Sequence, residues 1–173
     1  MTTTSMMHIQ RWYMSKRAMS SAERISRECL GMPLRMLHRA VSAVYDDALG
    51  AHGLGIASLN LLVAVERLDE RATPALVSRV LMLEKSSVSR EVDRLVERGW
   101  MTRRTRADGR SQLLALTVQG RRVIDAALPS WEAAQARVLA LLGDTGAALL
   151  TSTAERLRAA EPSLIRGRAP SDR

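Results

Sequence analysis

Between Lys85 and Arg94 the chain places Ser86, Ser87, Ser89, Arg90 and two flanking cations within ten residues, and a little further on Arg106 and Arg110 flank Asp108-Gly109. Hydroxyls and guanidinium groups in this density suit recognition of a polyanion. Lys and Arg displace counterions from phosphates, and Ser and Arg can read the donors and acceptors that base pairs present in the major groove. Catalysis has no comparable footing. There is no Gly-rich phosphate loop, no His-Glu-x-x-His pair, no nucleophile elbow and no Cys–His arrangement. An enzyme is therefore not expected.

The serines and arginines need a helix to carry them. Val88, Val92, Leu95 and Val96 recur at helical spacing, so Ser86, Ser87, Ser89, Arg90, Asp93 and Arg94 fall on the opposite, outward face. Gly99 stops this helix. Before it, Thr73 as N-cap and Pro74 at the first helical position open a short helix to about Leu81, and Met82-Leu83-Glu84 makes a tight connection. Two readings of the outward face stay open. Ser86 and Ser87 cap the helix while Arg90 pairs with Asp93 or Glu97 on a solvated surface, or the face enters a groove with Arg90 as the main base reader.

After Gly99 the period changes. Residues 100–104 and 112–116 read as two strands joined through an Asp-Gly turn, and this basic hairpin favours the groove reading. A narrow minor groove attracts an inserted Arg, which a two-stranded wing can deliver while the preceding helix lies in the major groove. Asp108 is compatible with such a tip if it holds Arg110 in orientation. Charge agrees with this placement. The net charge is +8, and residues 75–122 hold 11 Lys and Arg against 5 Asp and Glu, whereas 30–68 and 123–173 are balanced.

The rest of the chain supplies supporting helices. Leu30, Leu34, Leu37, Val41, Val44 and Ala48 mark one, ended by Gly50, Gly53 and Gly55. Ser58, Leu61, Leu62, Val65 and Leu68 mark the next. Thr117 is placed to cap a long helix through Ile124, Leu128, Trp131, Val138 and Leu142, which Pro129 is expected to kink and Gly143 to close. A last helix carries Leu149, Leu150, Thr153, Leu157 and Ala160. Aromatic residues are only 3% of the chain and Phe is absent, so the core must be aliphatic and Met-rich, which suits packed helices. No apolar run reaches the roughly 18 residues that span a bilayer, so no membrane partner is expected and a cytoplasmic location is. One cysteine allows no internal disulfide, and His8, His38 and His52 are not spaced as metal ligands; neither metal nor cofactor is implied.

The segment EKSSVSREVDRLVERGWMTRRTRADGRSQLLALTVQG, from Glu84 to Gly120, resembles the reading helix and wing of the MarR family of transcriptional regulators, and the likeness extends over roughly residues 30–160. It implies a mainly α fold with a small β-hairpin wing: a winged helix-turn-helix at 56–120, dimerisation helices at 25–50 and 121–160, a flexible arm at 1–24 and a tail at 161–173. It further implies a homodimer that binds palindromic double-stranded DNA, as a repressor, through Thr73, Lys85, Ser86, Ser87, Ser89, Arg90, Arg94, Arg106, Asp108 and Arg110. Leu30 to Val44 and Ile124 to Leu157 would supply the interlocking apolar faces. Release by a small molecule or an oxidant is also implied. Effector residues would be His38, Arg39, Tyr45 and Trp100, with Cys29, read at the start of the first long helix beside Arg27, as an alternative redox sensor; a buried, inert thiol and plain surface residues are the competing readings. A helical module that binds a protein partner instead of DNA would be expected to carry acidic residues at Arg90 or Arg110, and both positions are basic.

Overall fold

The computed structural model describes residues 19–105 and 112–159. The chain divides into two compact units, Met1–Val41 and Ser42–Arg173. In the first, α1 (Ser21–Glu28) begins with a reciprocal cap: the Ser20 hydroxyl accepts from the Glu23 amide, and the Glu23 carboxylate accepts from the Ser20 amide. The arm expected through residue 24 therefore gives way to helix at Ser21. Cys29 is the C-cap of α1 and exposed, not the first turn of the following helix. That helix, α2 (Gly31–Leu49), passes into the second unit, where Tyr45 and Leu49 are buried.

The second unit holds the core. A single 3-10 turn, Gly50–His52, leads to α3 (Ile56–Leu68), whose first amide is capped by the Asp46 carboxylate at 2.7 Å. Leu59, Leu61, Leu62, Ala64 and Val65 bury one broad face of α3, and Asn60, Val63, Glu66 and Arg67 face solvent. A further 3-10 turn, Asp69–Arg71, precedes α4 (Pro74–Leu81), which Thr73 caps by accepting from the Leu76 amide. Next come α5 (Lys85–Glu97), the antiparallel pair β1 (Met101–Thr105) and β2 (Gln112–Leu116), and α6 (Val118–Ala159). The strands pair Met101 with Leu116 through to Thr105 with Gln112. On the other edge of β2 the Leu114 amide donates to the Ala72 carbonyl at 2.8 Å, so one residue before α4 acts as the stub of a third strand.

α6 leaves helical geometry at Gly143 (φ 64°, ψ 167°), where the sequence places the end of the long helix, and Pro129 sits inside it with no break in the helical dihedrals. Its apolar stripe differs from expectation. Its buried stripe is Ala127, Ala134 and Val138, while Leu128 is half exposed. The reason is distance. Alanines let the helix axis approach the core closely, and that places the neighbouring Leu128 one position round the helix toward solvent. Among the described residues no single helix is long and apolar enough to cross a membrane.

Candidate nucleic-acid interface

The geometry of the reading face begins in the turn before it. Met82 adopts the left-handed region (φ 55°), an uncommon conformation for a residue with a side chain. Ser78 holds it there. The Ser78 hydroxyl, nearly buried, donates to the Leu83 carbonyl at 2.6 Å while the Leu83 amide donates to the Ser78 carbonyl at 3.0 Å. Sequence reading passed over Ser78; the signal was a lone hydroxyl in the otherwise apolar run of α4.

From this turn α5 presses Val88, Val92 and Leu95, all essentially inaccessible, into the core. Lys85, Ser86, Ser87, Ser89, Arg90, Asp93 and Arg94 are all exposed, as the periodicity required. Glu84 is the N-cap and makes no side-chain cap bond, and neither Ser86 nor Ser87 caps the helix. The Ser87 amide turns back to the Glu84 carbonyl at 3.0 Å, and no side chain neutralises the partial positive charge of the helix start. Arg90 pairs with neither Asp93 nor Glu97; its Nε donates to the Ser86 carbonyl at 3.3 Å, which lays the guanidinium along the exposed face.

The other charges on this face are engaged. Arg94 Nη1 donates to Glu91 Oε2 at 2.8 Å, and Glu91 Oε1 accepts from the Ser58 hydroxyl on α3. Asp93 Oδ1 accepts from Arg103 Nη2 on β1. Glu91, with a side chain only 15% exposed, organises the charges of this face, and its spacing in the sequence does not reveal it. The one hint is its place beside Val92, at the margin of the buried stripe.

The base of the wing is clamped to the core. Gly99 turns the chain with φ 71°, and Trp100, nearly buried, lies under the Arg98 guanidinium at 4.4 Å from the ring centroid. Arg98 also donates to the Gly53 carbonyl. Thr117 caps α6 by accepting from the Gly120 amide at 3.0 Å and donates its own hydroxyl to the Gly99 carbonyl at 2.7 Å. These bonds fix the start of β1 and the end of β2 against the core, where Met101, Leu114 and Leu116 are buried. Arg106, Asp108 and Arg110, the proposed wing tip, lie outside the described residues.

The residues read as effector contacts are scattered in character. His38 and Arg39 are exposed, Trp100 is engaged with Arg98, and Tyr45 is buried with its hydroxyl donating to Gln135 Oε1. Burial pushes the Tyr45 phenol above its ordinary pKa. A cleft of about 520 Å³ opens between the end of α3, β2 and the start of α6, lined among others by Val65, Asp69, Glu70, Arg104 and Leu116, and it includes none of these four. Among the described residues no cluster of His, Cys, Asp and Glu could hold a metal.

Residues 52–111 match the model of the MarR family. That stretch takes in α3, α4, α5 and β1, and the chain is similar to the family there. Its fold agrees: a MarR-family transcriptional regulator from Rhodococcus sp. RHA1 is 28% identical with a TM-score of 0.64, over 75% of this chain and 93% of that one. CouR from Rhodococcus jostii RHA1, solved with p-coumaroyl-CoA, is 27% identical with a TM-score of 0.65, over 76% and 93%. The M. tuberculosis regulator MOSR, solved with DNA, is 26% identical with a TM-score of 0.63, over 76% and 99%. No curated protein matches the chain in sequence.

Proposed function

We propose that this protein is a MarR-family transcriptional regulator, a cytoplasmic homodimeric repressor that reads a palindromic operator with α5 in the major groove and the hairpin in the adjoining minor groove. The observation that carries the reading is the exposed face of α5. Ser86, Ser87, Ser89 and Arg90 stand over a fully buried apolar stripe, at the end of a helix whose start no side chain caps. Small hydroxyls allow close approach to phosphate, and Arg90 is long enough to reach a base edge. Thr73 and Lys85 add backbone contacts from the starts of α4 and α5, Arg94 adds one once its bond to Glu91 opens, and Arg106, Asp108 and Arg110 form the minor-groove tip.

Dimerisation is supported by apolar side chains left in water by the isolated chain. Leu30, Met32, Leu34 and Met36 are exposed around the start of α2, and Leu139, Leu141, Leu149 and Leu157 on α6. Such a series on two helices is the surface a second copy would cover. Two-fold symmetry then sets the half-sites about one DNA turn, ~34–36 Å, apart. The relatives solved with DNA and with p-coumaroyl-CoA are consistent with a DNA partner and a small-molecule effector. Cys29, His38 and Arg39 are exposed and accessible to an effector; Tyr45 would act through Gln135 and Trp100 through Arg98.

The test is a salt series of binding to a pool of random duplexes, with retained DNA sequenced, for wild type, Arg90→Ala and Arg110→Ala. Enrichment of a palindrome, lost or relaxed in Arg90→Ala and weakened with a shallower salt slope in Arg110→Ala, is the expected result. Retention of no duplex by wild type at low salt refutes it.

A further inference from the structure

Two carboxylates stand on or beside a helix face proposed to meet a polyanion, and an uncompensated acid there would repel phosphate. Glu91 is held by Arg94 and Ser58 and points back toward α3. Asp93 is exposed over half its side chain, and its partner is Arg103, the third residue of β1, ten positions away on the wing. Opposite Arg103 in the strand register is Leu114, which is buried in the core. The pair therefore joins the outward face of α5 to the middle of β1, where the hairpin is packed on the core.

We propose that Asp93 and Arg103 are a positioning pair. Their bond sets the angle between α5 and the wing, so that the major-groove and minor-groove contacts are made together. This rests on the DNA reading under Proposed function. In water the pair is partly exposed and contributes little to folding; when DNA covers it, water is excluded and the bond strengthens. Both charges are then spent on each other. With Arg94 bound to Glu91 and Arg98 to Gly53 and Trp100, the cations of α5 and β1 with no ion pair or clamp among the described residues are Lys85, Arg90 and Arg104.

The sign of one substitution separates positioning from simple charge. If Asp93 only adds negative potential, Asp93→Asn tightens binding to any duplex. If it positions the wing, Asp93→Asn weakens binding to the selected operator by about fivefold and erases the preference for particular base pairs in the wing-facing flank, while preference in the α5-facing positions persists. Arg103→Gln does the same, and the reversed pair Asp93→Arg with Arg103→Asp recovers the flank preference.

A second readout needs no DNA. Spin labels at Ser89→Cys and Thr102→Cys, in a Cys29→Ser background, give one narrow distance in the parent and a broadened one after Asp93→Asn. Operator binding by Asp93→Asn at least as tight as wild type, an unbroadened distance, or a reversed pair that stays as weak as Arg103→Gln overturns the proposal, the last by making Arg103 a direct phosphate contact. Wild type that retains no duplex removes the DNA reading itself, and the proposal with it.

Discussion

Gly120→Ala tests the joint between wing and long helix. A Cβ built at Gly120 would lie 2.1 Å from the Trp100 carbonyl oxygen and 3.0 Å from its carbon. Both are backbone atoms, so no rotamer change relieves the clash, and a displacement of about 1.3 Å or more is needed to reach ordinary contact. The Trp100 peptide is pinned on both sides. Its amide donates to the Leu95 carbonyl at 3.0 Å and its carbonyl accepts from the Thr117 amide at 3.0 Å. Moving it weakens at least one of these bonds, worth about 1 kcal/mol each, and adds an overpacking cost of about 1–3 kcal/mol. The expected loss is about 3 kcal/mol, or roughly 6–12 °C in Tm for a chain of this size. Urea unfolding followed by tryptophan fluorescence, at fixed protomer concentration because a dimer is expected, measures it. Gly50→Ala is the control. Nothing lies within 4 Å of a Cβ there, so its stability should stay within about 0.5 kcal/mol of wild type. A Gly120→Ala midpoint indistinguishable from that control would refute the close-approach argument.

Three further outcomes follow from the same geometry. Thr117→Val removes the α6 cap and the bond to the Gly99 carbonyl and should cost about 1–2 kcal/mol in the same unfolding assay, with Thr117→Ser recovering most of it. Arg98→Ala removes the Gly53 bond and the cation–π contact and should destabilise by about 1–2 kcal/mol, yet leave the salt slope of DNA binding unchanged, whereas Arg90→Ala should lower the slope without loss of stability. Tyr45 is held neutral by burial, so its pKa is higher folded than unfolded; its contribution is complete below the ordinary phenol pKa of 10.0 and is lost as pH rises from there through the folded value. Tyr45→Phe should therefore lose less stability than wild type between pH 9 and the alkaline limit of unfolding measurements, about pH 11.

The helices of the winged unit were legible because local signals and burial agree there. Thr73-Pro74, Gly99 and Thr117 act at the positions their chemistry suggests, and Val88, Val92 and Leu95 are buried as their spacing requires. Where the reading failed, two local signals competed. Ser20 and Glu23 have the spacing of a capping box, but the polar run before them hid a helix of eight residues. Pro129 weakens a helix by one hydrogen bond and a clash, costs that packing can absorb. Gly143, by contrast, ends the long helix as expected, having no Cβ to resist a positive φ. Leu128 is the larger apolar residue, but Ala127 is the one that a close helix approach can bury.

The charges were the least legible part, because pairing depends on residues far apart in the chain. Periodicity assigns Lys85, Arg90, Asp93 and Arg94 to one exposed face and treats their charges as equally available. The fold does not. Glu91 meets Ser58 across 33 positions and takes Arg94, and Asp93 meets Arg103 across ten. The basic excess of residues 75–122 is therefore an upper bound on the phosphates this region can neutralise. If Arg94, Arg98 and Arg103 keep their internal partners on DNA, the salt slope per protomer should be shallower than the count of arginines suggests, and Asp93→Asn, by freeing Arg103, should steepen it even as operator binding weakens.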